Sequence, residues 1–489
     1  MTATTTTPAA LTLCRRIGTS GSVLLALGGW TAGSLPAYDA SGLWRERGAE
    51  AADVGTVLTY LGLVLLVCAW WRLGRIAGSL GAGELVRVLV WWSAPLVIGP
   101  PLFSSDVYSY VAQGLMSVRG LDVYQLGPAA LGGPLVHSIP AMWQHTPAPY
   151  GPAFVGMAQA VVRLTGSAVV PAVLGMRAVC LASLAVIVWA VRALARATGV
   201  SEGGALWAAA LNPLVICHLV AGAHNDALML ALMMTGLVLA RRGRLLWAVV
   251  AVSLATIVKA PAGTALLFLV PLSPRWRGRI WPGVWRVLAG ASVATAVTAT
   301  VSVVTGRGLG WIAALRTPVS VESVWSASTD VGRLLAWAAS VSHTAGTESA
   351  WSRPDTITAV RVVCLLAALV AIVLWARRAP AVGPEYALGL SLLTLVVLSP
   401  AVQPWYALWG LLPLAATAWH RLSGAWQKTL VVVLVFSVLP DGHGPALDDL
   451  VTASLGIALA LAALYGSTAL RWLSGGGAGG AFAEQKGLP

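Results

Sequence analysis

The chain has 489 residues, 57% of them hydrophobic and only 10% charged, against about a quarter charged in soluble domains. Apolar runs recur along its whole length, which excludes a soluble globular protein, and their continuity without alternation argues against a β-barrel. The formal net charge of +13 implies membrane and not nucleic acid, because the basic residues sit mostly in short loops between apolar runs, where they act as topology signals and contacts for anionic lipid headgroups.

Taken in order, the chain opens with a polar, Thr-rich leader over 1–19, ending near Arg15 and Arg16. An integral membrane domain follows over 20–472, and a Gly-rich tail over 473–489 reads as a disordered cytoplasmic end. Spans are expected near 20–37, 54–71, 85–103, 169–191, 204–222, 226–240, 244–259, 261–273, 283–304, 358–376, 383–400, 404–419, 428–440 and 450–470. That is an all-α polytopic protein with about 13–14 transmembrane helices, several short for a bilayer core of about 30 Å. The alternate loops carry Arg72, Arg75 and Arg87, then Arg192 and Arg196, then Arg241, Arg242 and Arg244, then Arg275 to Arg286, Arg377 and Arg378, Arg421 and Lys428. The positive-inside rule therefore places both termini in the cytoplasm. Two longer segments, about 104–168 and 305–357, fall on the other side. The second has apolar residues at helical spacing (Trp311, Leu315, Trp325, Leu334, Trp337), as interfacial helices do. Four of the five cysteines lie in apolar runs, at no metal-ligand spacing, so no metal or disulfide framework is expected.

The polar clusters share the outer side. FSSDVYSYVAQG (Phe103 to Gly114) follows the third apolar run and opens the first long segment. Ser104 or Ser105 can cap a helix there, and Asp106, Tyr110 and Gln113 then share one face at i, i+4 and i+7. Tyr108 sits in the same stretch; Tyr124 and Tyr150, the latter in TPAPYGP, follow. His224, Asn225 and Asp226 join two apolar runs, where they serve either as a helix cap or as a substrate-binding tip. Lys259, beside Pro261, and Arg177, two turns inside a span, are ionisable groups in apolar surroundings. They either snorkel or hold a lipid-borne phosphate. SPAVQPWYALWG (Ser399 to Gly410) is a proline-bounded break that presents Gln403, Trp405 and Tyr406. An amide and aromatic faces suit a sugar ring, although an interfacial aromatic belt has the same composition. Clusters at the ends of separate spans on one side point to a single cavity. The chain has no Walker motif, GxSxG or HExxH, so a donor already across the membrane suits the site.

These stretches resemble a family. DVYSYVAQG, TPAPYGP, NPLVICHLVAGAHNDALM, VKAPA and SPAVQPWYALWG are similar, over about 85–415, to the actinobacterial polyprenol-phosphomannose-dependent α-(1→6)-mannosyltransferases of the glycosyltransferase C superfamily. The resemblance implies a glycosyltransferase C type fold. It also implies a polyprenyl-phosphate-mannose donor, a lipid-anchored mannan acceptor (the lipomannan and lipoarabinomannan backbone) and no cofactor. Asp106 matches the family's outer-loop general base, with Lys259, Arg177 and Arg333 as candidates to steady the leaving phosphate. Tyr108, Tyr110, Gln113, Tyr124, Tyr150, His224, Asn225, Asp226, Gln403, Trp405 and Tyr406 are the sugar- and acceptor-binding candidates. A transferase for another polyprenyl-phosphate sugar, or a lipid or sugar transporter or flippase, is the alternative, the last because broken helices at one face also suit transport.

Overall fold

The computed structural model of the chain describes residues 6–45, 48–273, 280–317, 323, 325–342, 353–442 and 451–462. Among them every regular element is a helix, as hydrocarbon demands of a chain that must satisfy its own backbone. The N-terminal hairpin pairs α1 (Thr6–Ala32) with α2 (Ala49–Leu73). A Cβ on Gly21 would lie 2.6 Å from the Gly62 carbonyl, and one on Gly28 2.5 Å from that of Gly55. These small residues let two antiparallel backbones touch, which is how helices associate when lipid removes the hydrophobic drive. Arg15 and Arg16 lie inside α1, so the polar leader is helical from Thr6 onward.

Then come α3 (Ala82–Ser93), α4 (Asp106–Val118), α5 (Pro152–Thr165), α6 (Val169–Thr198) and α7 (Glu202–Ala208). A π-turn, Val215–Ala221, leads into α8 (Asp226–Arg241), bent from it by 111°. The next helices are α9 (Leu245–Thr256), α10 (Leu266–Leu272), α11 (Ile280–Val304), α12 (Ala327–Ser342) and α13 (Arg353–Val382). The last are α14 (Pro384–Leu398), α15 (Ala407–Leu422), α16 (Ala425–Val435) and α17 (Val451–Ala462). The predicted tail over 473–489 lies outside the described residues.

Four helices (α2, α6, α13 and Val284–Val304 within α11) are long and apolar enough to cross a bilayer singly, and the bent pair adds a fifth. Shorter apolar helices, α9, α14, α16 and α17 among them, fall where further spans were expected. Prolines account for the breaks. The expected span at 85–103 ends at Ser93, just before Pro95, with Pro100 and Pro101 beyond. The span at 204–222 splits at Pro213, where the Asn212 side chain accepts from Leu214 N at 3.0 Å and covers an amide the broken helix would leave open.

One end of the bundle is tied by ion pairs. Arg241 at the end of α8 binds Glu385 at the start of α14 through two nitrogens, at 2.6 and 2.8 Å. Arg192 and Arg196 hold Glu202, whose carboxyl lies well below the usual range, at about 2, because of their hydrogen bonds and charge. These acids stand among basic loops that the sequence reading treats only as topology signals.

Arg177 needs a correction. Its guanidinium is buried and donates to four carbonyls: Gly99 at 2.6 Å, Val97 and Ala221 at 2.8 Å, and Val220 at 3.1 Å. Four of its five N–H groups are therefore taken by backbone, and it clamps the loop before α4 to the π-turn before α8 instead of facing a phosphate. Both clamped segments reach a strained residue a few positions on, Phe103 (φ 62°) and Ala223 (φ 53°). Such non-glycine left-handed conformations persist only where the surroundings over-determine them. Arg177→Met leaves four buried carbonyls without donors. The thermal midpoint in detergent should fall steeply, as for a loss of about 3 kcal/mol or more, and Arg177→Lys, lacking the fork, should not restore it. An unchanged midpoint would show that the clamp is dispensable.

Candidate active site

Four breaks in helices meet at the end of the bundle opposite the Arg241–Glu385 tie, because α8, α9 and α15 each run between the two ends. At the first break, Ser105 occupies the N-cap position of α4 without a side-chain bond, so neither serine makes the expected cap; Ser104 Oγ instead accepts from Asp106 N at 3.1 Å in a turn just ahead of the helix. At the second, Asn225 and Asp226 do not cap α8. Asp226 is fully buried and turns inward. At the third, α9 ends, Lys259 adopts an extended conformation and Pro261 starts a 3-10 turn over Ala260–Ala265. At the fourth, Pro404 begins a 3-10 turn, Pro404–Tyr406, ahead of α15.

The centre is an ion pair. Lys259 Nζ donates to the two carboxylate oxygens of Asp226 at 2.8 and 2.9 Å. Trp409 Nε1 donates to the same carboxylate at 2.6 Å. The ammonium also lies 4.4 Å from the ring centre of Tyr406 and 5.3 Å from that of Trp409, two rings stacked on each other at 4.3 Å. A buried cation is thus balanced by one carboxylate and two π faces.

Asp106 stands beside this pair. Its side chain keeps 24% of its surface open, whereas that of Asp226 is closed off. Burial pushes its pKa up to about 6; the Lys259 charge opposes this and the Asp226 charge adds to it. His224 Nδ1 approaches an Asp106 oxygen to 3.5 Å, longer than a good hydrogen bond. The His224 ring stacks on Trp405 at 4.0 Å, and His218 lies 4.9 Å from the same indole. Tyr110, Tyr150 and Phe154 pack edge to face at 5.0 to 5.5 Å. Burial, then the Asp106 charge, raises the Tyr150 phenol well above its usual range, so it stays protonated and can donate.

The structure therefore brings together Asp106, Tyr110, Gln113, Tyr150, His224, Asn225, Asp226, Lys259, Trp405 and Tyr406. Gln403 holds the start of the 3-10 turn through its carbonyl, which accepts from Tyr406 N at 3.0 Å. Three candidates stand elsewhere. Tyr108 points away from the cavity: its hydroxyl donates to Ser34 O at 2.6 Å and braces α4 against the end of the N-terminal hairpin. Tyr124 packs in a separate apolar cluster with Met116, Ile257 and Trp311. Arg333 pairs with Asp330 at 3.2 Å on α12, which packs on α13. Trp409 and Phe154 belong to the site and escaped the sequence reading. Trp409 had a legible signal, since it lies three residues after Tyr406 on one helix face.

A partly open carboxylate, a paired cation beside it and a wall of aromatic rings, all at one end of a membrane helix bundle, make a candidate catalytic site of an integral membrane protein. Comparison with known proteins gives the family. A family model described as alpha-(1->6)-mannopyranosyltransferase, N-terminal domain, matches residues 15–275, and one described as the MptB C-terminal domain matches 328–468. The chain is 34% identical to a probable alpha-(1->6)-mannopyranosyltransferase of Mycolicibacterium smegmatis, over 93% of this chain and 88% of that one. It is 33% identical to an alpha-(1->6)-mannopyranosyltransferase of Mycobacterium tuberculosis, over 96% and 89%. With alpha-(1->6)-mannopyranosyltransferase B of Corynebacterium glutamicum it shares 29%, over 92% and 80%. No solved structure matches the chain. The protein belongs to the α-(1→6)-mannopyranosyltransferase family and is a membrane glycosyltransferase.

Removing one member of the Lys259–Asp226 pair strands a buried charge. Asp226→Asn and Lys259→Met should each lower stability by about 3–5 kcal/mol. The double variant should lose less than the sum, by at least about 1 kcal/mol of coupling. Thermal unfolding in detergent measures all three, and strictly additive losses would contradict a direct pair.

Proposed function

We propose that the protein transfers mannose from a polyprenyl-phosphate-mannose donor to a lipid-anchored mannan acceptor. The product is an α-(1→6) bond of the lipomannan or lipoarabinomannan backbone, made at the extracytoplasmic face. The observation that carries this reading is the pairing, within one family-matched site, of an accessible carboxylate with a neighbouring cation. The basic loops at the other end of α8 and α15 (Arg241, Arg242, Arg421) support placing the cavity outside.

Asp106 removes the proton from the acceptor hydroxyl as its oxygen bonds to C1 of mannose. The bond from C1 to the phosphate oxygen breaks on the opposite face, and the electron pair leaves on the polyprenyl phosphate. The leaving group needs positive charge and no acid. Lys259 is the cation at the site, and its attraction to Asp226 and to the developing phosphate charge orients it. Arg333 pairs with Asp330 away from the site and Arg177 donates to backbone carbonyls, so neither is given the leaving phosphate. Tyr110 and Tyr150 line the sugar path, and Trp405 offers it an aromatic edge. A single displacement of this kind inverts the anomeric centre, so a β-linked donor gives an α product.

Asp106→Asn keeps the shape of the side chain and removes its basicity. Transfer from labelled lipid donor should fall at least a hundredfold, within the range of about 10²–10⁴ for a general base, with the protein still folded; near-normal rates would remove Asp106 from the role. The pH profile follows from the raised carboxyl. Only the ionised form accepts a proton, so kcat should be flat above neutrality and should fall roughly tenfold per pH unit below the pKa of about 6. A profile flat down to pH 4.5 would contradict the assignment.

A further inference from the structure

The Asp106 carboxylate has two different neighbourhoods. On one side stand Lys259, Asp226 and His224. On the other, Asp106, Ser109 and Gln113, spaced by three and four residues on one face of α4, form one wall of a narrow slot. Trp143, Thr146, Pro149 and Tyr150 form the facing wall. Ser109 Oγ and the Gln113 side-chain oxygen are both buried and without a hydrogen-bond partner. Buried polar atoms of this kind are ordinarily satisfied, so two in one slot call for a polar ligand. Its walls hold no lysine, arginine or histidine and one carboxylate. A phosphate would be repelled there. A neutral hydroxyl suits the polar wall, and an indole beside a pyrrolidine suits the apolar face of a sugar ring. The slot has about 20 Å³ for the centre of a water molecule, room for roughly one water and not for a pyranose ring.

We infer that this slot receives the hydroxymethyl arm of the acceptor sugar and that its narrowness selects a primary hydroxyl for reaction. The inference rests on the proposed mannosyl transfer. A hydroxymethyl group reaches one carbon beyond its ring. It enters a one-water space while the ring stays outside against Trp143. A secondary hydroxyl is attached to the ring itself, and bringing it to Asp106 would force the ring between α4 and the facing wall. In the seated arm, the hydroxyl donates its proton toward Asp106 and accepts from Ser109. Gln113 closes the polar wall behind the arm. The donor phosphate is thereby left to the Lys259 side, and the acceptor arm and the leaving group lie on opposite flanks of the carboxylate's cavity, as in-line displacement requires.

The test uses the purified full chain with polyprenyl-phosphate mannose and a synthetic alkyl α-mannoside as acceptor. Gln113→Ala enlarges the inner end of the slot, and Trp143→Ala opens its facing wall. Both should raise the acceptor KM roughly tenfold and leave the donor KM within about twofold. Methylation analysis of the products should show linkages other than 1→6 appearing beside it. If Gln113→Ala fails to fold, Trp143→Ala, at a half-buried position, decides alone. Wild-type acceptor KM and exclusively 1→6 product in the folded variants, with Asp106→Asn inactive, would overturn the slot and leave the transferase reading standing. A wild-type protein that transfers no mannose would overturn both.

Discussion

The Lys259–Asp226 pair is the constraint on which the site depends. A lone ammonium or carboxylate this deep in an apolar bundle is costly, and each is tolerable because the other is there. The pair joins the turn after α9 to the start of α8. Through Trp409 and the rings it shares with Tyr406, it fixes the proline-broken turn before α15. Three of the four breaks are thereby held in one place. Arg177 does the corresponding work one layer below, where backbone carbonyls left open by broken helices need donors. Both devices answer the same problem: irregular backbone at membrane depth survives only when protein groups replace the missing water.

The consequence for chemistry is a division between two aspartates. Asp226 has its oxygens engaged by Lys259 and Trp409 and is closed to solvent. Asp106 stays partly open and meets His224 only at 3.5 Å. One carboxylate is therefore structural and electrostatic, and the other is available to take a proton. Burial raises the available one toward neutrality, which makes it a better base than a solvated aspartate. The strained residues Phe103 and Ala223 lie just ahead of Asp106 and His224, where they set the direction in which those side chains leave the backbone.

Much of this was legible in the sequence. Hydropathy and loop arginines give a polytopic helical protein, and the segments that converge are the polar ones found between apolar runs: FSSD, HND, VKAP and QPWY. What local patterns cannot give is who pairs with whom. Asp226 and Lys259 are 33 residues apart and Asp226 and Trp409 are 183 apart, and no periodicity links them. Arg177 and Lys259 look alike in sequence, each a cation in an apolar run. They diverge because open carbonyls surround one and a carboxylate faces the other. Tyr108 and Tyr110 are two residues apart and so lie on different faces of α4, one bonded to Ser34 and the other in the cavity. Span number was also hard to read, since prolines split apolar runs that look continuous in composition.

If Asp106 takes the acceptor proton it is not free to attack C1, and Asp226, the other carboxylate described at the site, is held in an ion pair, so the proposed route is a single displacement. The stereochemistry of a single transfer measures this directly. Reconstituted protein given a β-linked polyprenyl-phosphate mannose and a synthetic mannoside should form only the α-linked product, read from the one-bond C1–H1 coupling by NMR. A β-linked product, with the donor configuration retained, would contradict it.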